Sequence, residues 1–272
     1  MDFERYQRQI SHPKIGVNGQ QQLLDAKVLV VGAGGLGCPV MQYLTAAGVG
    51  KIGVVDGDVV SKSNLPRQIL FTELDLGKLK VSCAEKYLKW LNADIEVVPF
   101  PVFMNNKNAF NILSDYDVIV DCTDDFATRY LLNDACVLLE KPLVYGAIYL
   151  DQGQVAVFNC KLENKFSSNY RDIYPNPPTK NEVPTCEELG VMGVLPGTIG
   201  LFQANEVLKV ITKAENILAD KFLVFNMSTY SSNTFDVIKN SSTIIPSSQS
   251  EFEKFDYISF CGRVAMEPAN SI

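Results

Sequence analysis

The stretch AKVLVVGAGGLGCPVMQYL, residues 26–44, decides the fold. A short apolar run rich in valine stops at Gly32. Gly32, Gly34 and Gly37 then fall into the spacing G-x-G-x-x-G, and residues with apolar spacing of helical period follow. A glycine turn between a strand and a helix lets backbone N–H groups approach a phosphate at the positive end of the helix dipole. One strand–helix–strand unit later, KIGVVDGD (residues 51–58) ends a second strand in Asp56. An acid placed about 20 residues beyond the glycines is where such folds bind ribose hydroxyls. Taken alone, this much suits NAD, FAD or ATP equally.

Outward from this stretch, KVLVVG, KIGVVD, IEVVPF, YDVIVDCT and KPLVYGA read as strands. Between them GCPVMQYLTAAG, GKLKVSCAEKYLKWLN, NKNAFNILS and FATRYLLNDACVLLE have helical spacing. Strands alternating with helices predict a Rossmann-like, doubly wound α/β fold with a mainly parallel sheet. After Gly146 the pattern changes. AIYLDQGQVAVF reads as an antiparallel ribbon, and residues 160–188, polar and proline-bearing, as a long, mobile crossover loop. A helix over about 191–213 and two strands, KFLVFNM and NTFDVI, extend the sheet. The domain is expected to run from residue 1 to 239, with residues 240–272, rich in serine, as a linker or loosely attached tail.

Composition narrows the classes of function. The chain has 272 residues, of which 47% are hydrophobic, enough to bury a large core. Its net charge of −7 speaks against nucleic acid, whose phosphates require clustered Lys and Arg. The apolar run Gly190–Ala204 contains Pro196 and falls short of the roughly 20 residues needed to span a bilayer, so no membrane partner is expected. MDFERYQRQI carries charge where a secretion signal is apolar, and seven scattered cysteines with no C-x-x-C pair suit reduced thiols in a cytoplasm. Cys38, Cys83, Cys122 and Cys136, on predicted strands or helices, read as core. The single histidine, His12, leaves any chemistry to carboxylates, Lys, Arg, Cys and backbone.

The residues after Asp56 weigh on the choice of nucleotide. DGDVVSKSNLPRQILF places Asn64, Arg67 and Gln68 in a polar segment, and DLGKLK brings Lys80 to the start of a helix. A dinucleotide pyrophosphate can be held by a helix N-terminus alone. A triphosphate has about four charges to neutralise, and Arg, Lys and a metal are the usual means. VIVDCTDDFATR then sets Asp121, Asp124 and Asp125 at the carboxyl end of a later strand, where ligands of such sheets sit. A carboxylate there suits Mg²⁺ held jointly by protein and phosphates, and Asp124 suits a helix N-cap equally well. ATP with Mg²⁺ is the expectation; a NAD- or FAD-binding oxidoreductase leaves Arg67, Lys80 and Asp124 unexplained.

RYQRQ, VGAGGLGCPV, VVDGDVV, SNLPRQ, the Lys80 helix start, DCTDD and PTCEELGVMGVLPGTIGLFQANEVLKVI, in this order over about residues 3–239, resemble the MoeB/ThiF family. These relatives of ubiquitin-activating enzymes adenylylate the C-terminal glycine of small ubiquitin-like sulfur-carrier proteins of the thiamine or molybdopterin type. The resemblance implies a homodimeric adenylyltransferase using ATP and Mg²⁺, a carrier ending in Gly-Gly, and a sulfurtransferase or cysteine desulfurase as a further partner. Related enzymes activating a peptide C-terminus or a modified tRNA base remain as the other reading. By the same resemblance, Gly32, Gly34, Gly35 and Gly37 lie under the nucleotide and Asp56 binds the ribose. Asn64, Arg67, Gln68 and Lys80 line the phosphates, Asp124 holds Mg²⁺, and Arg8 reaches the site of the partner subunit. Cys186 corresponds to a cysteine that in some relatives carries the protein substrate as a thioester or acyl disulfide, while a buried inert thiol is the other reading. Asp125 stands where many members have asparagine. Many members also hold a structural zinc on two C-x-x-C pairs. Here Asn169, Asp172 and Ile258 replace three of the four cysteines and only Cys261 remains, so no structural zinc is expected.

Overall fold

The structure, a computed structural model, describes residues 3–178, 190–240 and 243–262. Two helices, α1 (Phe3–Ile10) and α2 (Gly16–Asp25), lead into β1 (Lys27–Val31), α3 (Gly37–Ala47) and β2 (Lys51–Val55). There follow α4 (Lys80–Leu91), β3 (Glu96–Phe100), α5 (Ala109–Leu113), β4 (Val118–Asp121), α6 (Phe126–Leu138) and the hairpin β5 (Leu143–Tyr149) and β6 (Gln152–Phe158). The described chain continues through α7 (Tyr170–Ile173), α8 (Val194–Ile211), β7 (Lys221–Asn226), β8 (Ser231–Asp236), α9 (Gln249–Lys254) and α10 (Tyr257–Phe260). One eight-stranded sheet has the order β3-β2-β1-β4-β5-β6-β7-β8. The strands from β3 to β5 pair in parallel, and β5 to β8 pair antiparallel.

Alternation along β1 shows why helices cover both faces. Val28 and Val30 point into one apolar layer with Met41 and Leu44 of α3, Val81 and Leu88 of α4, and Ile199 and Val207 of α8. Leu29 and Val31 point into the other layer, with Leu113 of α5 and Tyr130 and Leu132 of α6. A strand buried on both faces reads as a continuous apolar run, which is how KVLVV reads. The order of the strands reverses between the parallel β1 and β4, so the loops leaving their carboxyl ends open a crevice.

α1 docks far from that crevice. The Tyr6 ring lies over Gly48, at the carboxyl end of α3, and its hydroxyl accepts a hydrogen bond from Asn92 Nδ2 at 2.8 Å. Gln9 Nε2 donates to Gln20 Oε1 and to the Ala47 carbonyl. These contacts hold the arm to the body while Arg8 stays exposed.

Two stretches are better ordered than their composition suggests. Within the segment read as a mobile loop, Ser167 to Arg171 are buried. Part of their hydrogen bonding comes from α6: Asn133 Oδ1 accepts from the Tyr170 N–H, and Asp134 takes both Nε and Nη2 of Arg171 at 2.7 Å. Within the stretch read as loosely attached, Phe252, Tyr257 and Cys261 are buried beside α6, and the Tyr257 hydroxyl donates to Asp134 at 2.9 Å. Both observations have one cause. Polar residues signal mobility only when water is their partner, and here the partners include Asn133 and Asp134 of α6 and Asp220 before β7. Among the described residues, no helix is long and apolar enough to cross a membrane.

Candidate active site

Three loops meet at the carboxyl ends of β2, β1 and β4. Val31 of β1 stands in register with Val55 of β2 and with Asp121 of β4. The Gly32 N–H donates to the Val55 carbonyl at 2.8 Å, and the Cys122 N–H to the Val31 carbonyl at 2.9 Å. Gly32 has φ +99°, and a Cβ there would lie 2.6 Å from the Cys122 carbonyl oxygen, so a side chain would separate the two loops. A Cβ on Gly37 would meet the Gly32 carbonyl oxygen. Gly34, by contrast, has only Gln68 Nε2 nearby, at 3.9 Å, and Gly35 faces Pro196 of α8 and the stem of Arg67. The turn is thus tight on its protein side and open above. α3 starts without a side-chain cap, but the Cys38 N–H already donates to the Gly34 carbonyl and Pro39 has no N–H, so the donors that remain for a ligand are those of the glycine turn itself.

Asp56 and Lys80 lie in one cluster. Asp56 Oδ2 accepts from the Ala33 N–H at 2.8 Å, and its Oδ1 accepts from the Asp58 N–H at 2.8 Å. Burial pushes its carboxyl up from the ordinary aspartate range, and Lys80 opposes that rise. Lys80, only 5% exposed, donates to Asp58 Oδ2 at 2.9 Å and stands 3.9 Å from Asp56 Oδ2. Asp58 escaped the sequence reading. Its signal was an acid two residues past the ribose-type aspartate, in a segment that needs a counter-charge for a buried lysine.

The polar segment after β2 folds back toward the glycines. Asn64 Oδ1 accepts from the Ser61 N–H at 3.1 Å, closing a short 3₁₀ turn, so the asparagine shapes the loop whatever else it binds. Arg67 is half-buried and donates from Nη1 to the Ser63 carbonyl. Gln68 is buried with its Oε1 unsatisfied. Pro66 and Arg67 pack against Gly193, where α8 begins.

The β4–α6 turn separates two roles that sequence left merged. Asp125 is the N-cap of α6, its Oδ2 accepting from the Thr128 N–H and hydroxyl, each at 2.8 Å. Asp124 next to it is exposed, and its carboxylate has no hydrogen-bond partner among the described residues. The cap is therefore Asp125, and Asp124 is free at the crevice edge. One carboxylate beside a phosphate-type loop suits Mg²⁺, which takes one or two carboxylates plus phosphate oxygens and water. Asp121 lies beneath, fully buried. Burial pushes its carboxyl up, and the Arg129 guanidinium counters it.

Arg8 is the one site candidate the fold holds apart from this cluster, at the opposite end of α3. Cys186 lies outside the described residues. At the positions that the resemblance assigns to zinc-binding cysteines, Asn169 and Asp172 form the capping box of α7, and Ile258 is half-exposed. One thiol, Cys261, does not fit a tetrahedral zinc. Among the described residues, no three His, Cys, Asp or Glu gather as a metal cluster.

A doubly wound sheet with a glycine turn opening at its switch point defines a Rossmann-like α/β protein. The chain belongs to the ThiF family, whose model matches residues 6–244. It is 46% identical over 263 residues to the sulfur carrier protein adenylyltransferase of Thermus thermophilus, covering 96% of this chain and 97% of that one. It is 42% identical over 270 residues to a probable adenylyltransferase/sulfurtransferase, MoeZ, of Mycobacterium tuberculosis, covering 99% of this chain and 68% of that one. Among solved structures, E. coli MccB with AMPCPP and MccA superposes with a TM-score of 0.77 at 21% identity, over 90% of this chain and 74% of that one. MccB with ATP superposes with a TM-score of 0.75, over 89% and 74%.

Proposed function

We propose that this chain is an ATP-dependent adenylyltransferase that activates the C-terminal carboxylate of a small ubiquitin-like sulfur-carrier protein. The observation that carries this reading is the 46% identity, over nearly the full length of both chains, to a sulfur carrier protein adenylyltransferase. The loop arrangement supports it, since a nicotinamide or flavin site has no use for a buried lysine and a free carboxylate beside the phosphate turn.

In the reaction, a carboxylate oxygen of the terminal glycine attacks the α-phosphorus of ATP. The bond from that phosphorus to the bridging oxygen breaks, and pyrophosphate leaves. The nucleophile arrives ionised, so no base is required, and a chain whose single histidine lies outside the crevice is chemically sufficient. Catalysis then rests on alignment and charge neutralisation. Backbone N–H groups of the turn between Gly34 and Gly37 hold phosphate oxygens, and Asp56 holds the ribose. Asn64 Nδ2, Arg67 and Lys80 serve the polyphosphate, with Lys80 moving its ion pair from Asp58 to the ligand. Asp124 would hold Mg²⁺, which when bound neutralises the charge spread over the phosphates.

The working unit is a homodimer. Tyr43 of α3 and Val194 and Leu201 of α8 leave an exposed apolar face next to the helices that carry α1. Arg8, remote from its own crevice, reaches across that face to the partner's polyphosphate. The carrier docks on the other flank, where Phe235 of the edge strand and Ile238 are exposed beside Ile173 and Phe222 in a groove of ≈ 310 Å³. The acyl-adenylate goes on to a sulfur donor such as a sulfurtransferase or cysteine desulfurase in the cytoplasm, in thiamine or molybdopterin synthesis.

The test is pyrophosphate exchange into ATP with a carrier ending in Gly-Gly. Exchange that requires the intact C-terminus is the expected result. Absence of exchange with every such carrier, together with hydride transfer from NADH or NADPH, would replace this reading with an oxidoreductase.

A further inference from the structure

Asp124 is the free side chain of a loop that is otherwise held on all sides. At its start, the Asp121 carbonyl accepts from Gln203 Nε2 of α8 at 2.7 Å. Asp121 Oδ1 accepts from the Thr123 N–H at 2.9 Å and from the Thr123 hydroxyl at 2.6 Å. Arg129, one turn into α6, donates from Nη2 to the Thr123 carbonyl at 2.9 Å. Its Nε stands 3.4 Å from Asp121 Oδ2, and neither of those two atoms has a hydrogen bond of its own. At the far end, Asp125 is fixed by capping α6. The guanidinium is 7% exposed and lies over the rings of Tyr145 and Phe126, at 5.2 Å and 5.6 Å.

A buried arginine–aspartate pair is a poor stabiliser, because apolar residues of similar volume often fill such a space at least as well. What apolar residues cannot do is hydrogen-bond a loop. Every side-chain hydrogen bond that Asp121 and Arg129 direct at this loop ends on Thr123, the residue before Asp124. In metal sites, the partners behind a ligand commonly fix its orientation and thereby its affinity.

We propose that Asp121 and Arg129 are positioning residues that set the Asp124 carboxylate for the divalent cation bound with ATP. This rests on the reading of Asp124 as the metal ligand. The pair touches neither metal nor nucleotide and acts through the Thr123 backbone. Arg129→Gln removes both the charge facing Asp121 and the planar fork. Arg129→Lys keeps the charge but cannot serve Asp121 and the Thr123 carbonyl in the same geometry.

The experiment titrates Mn²⁺, as a stand-in for Mg²⁺, into the full chain with saturating ATP and follows the enzyme-bound EPR signal. ATP affinity without metal is measured in parallel. Arg129→Gln is expected to weaken Mn²⁺ binding by about tenfold or more, the range seen for partners behind a metal ligand, while metal-free ATP affinity changes by less than about threefold. Arg129→Lys should fall between Arg129→Gln and the parent chain. Should Arg129→Gln not fold, Asp121→Asn, equal in shape and uncharged, is read in the same assay with the same expected loss. A folded variant of lower thermal stability with unchanged Mn²⁺ binding overturns the proposal and leaves the pair a purely architectural one. Asp124→Ala serves as the reference. If it leaves Mn²⁺ binding intact, the reading of Asp124 fails first and the proposal falls with it. If Asp124→Ala abolishes binding while Arg129→Gln and Asp121→Asn do not alter it, only the positioning role is refuted.

Discussion

Mixing two inactive variants tests whether the active site is shared between subunits. Tyr6 seats α1 at Gly48, beyond the carboxyl end of α3, whereas the glycine turn lies at the amino end of the same helix. The 11 residues of α3 separate the two ends by about 16 Å at 1.5 Å per residue. Arg8 is two positions from Tyr6 on a helix anchored by Asn92, Gln20 and the Ala47 carbonyl, so it cannot serve its own crevice without undocking the arm. Arg8→Ala and Asp124→Ala should each abolish carrier-dependent pyrophosphate exchange. After subunit exchange at equal amounts, random pairing in a twofold dimer makes about half the dimers mixed, each with one intact site, so about a quarter of wild-type activity returns. That site combines Asp124 from the Arg8→Ala chain with Arg8 from the Asp124→Ala chain. The assay follows label from pyrophosphate into ATP, with differently tagged chains co-purified to prove exchange. Activity no greater than that of the unmixed variants, with exchange demonstrated, would refute the shared site.

Asp124→Ala alone should lower adenylate formation by about 10³-fold with the melting temperature unchanged, because the exposed carboxylate carries no packing; near-normal exchange would remove it from the mechanism. Asp134→Ala should cost about 3–5 kcal/mol by leaving the buried Arg171 charge unpaired, a fall of about 6–20 °C in thermal denaturation. The double change Asp134→Leu with Arg171→Met should cost clearly less, and equal losses would argue against an ion-pair origin. Elemental analysis should find no stoichiometric zinc, given Asn169, Asp172 and Ile258 at the relevant positions, and one tightly bound zinc per chain would overturn that alignment. Phe235→Asp should raise the KM for carrier by about tenfold, as for a buried aromatic anchor, with kcat retained; an unchanged KM would move the docking surface elsewhere.

What was legible in the sequence was what is local in the chain. The glycine turn, the acid closing β2 and the alternation of strand and helix are each written within a few residues, and the sheet follows them. The antiparallel extension was equally visible, because AIYLDQGQVAVF holds both arms of a hairpin. Asp124 and Asp125 could not be told apart, since either suits an N-cap; the choice is made by where Thr128 falls once α6 winds. Tyr170 and Arg171 looked solvated because their partners, Asn133 and Asp134, lie more than 30 positions back. Arg129 left a faint mark, the lone cation of α6, whose meaning depends on Asp121 across the turn.

The edge of the sheet carries its own liability. All six residues of β8 are exposed, so no buried face tells that strand which of its residues should stand opposite Phe222. Side chains alternate faces with a period of two, and a slip of one position would exchange Phe235 for Thr234 or Asp236 and turn the aromatic ring to the other face of the sheet. What prevents it is the short reversal between Asn226 and Ser231, closed by the Asn226 side chain accepting from the Thr229 N–H and by Tyr230 at φ +56°. Pairing fidelity at this edge is thus set by four residues that touch no ligand. A one-residue insertion there would turn Phe235 away from the groove proposed for the carrier while leaving the glycine turn and the β4–α6 turn in place.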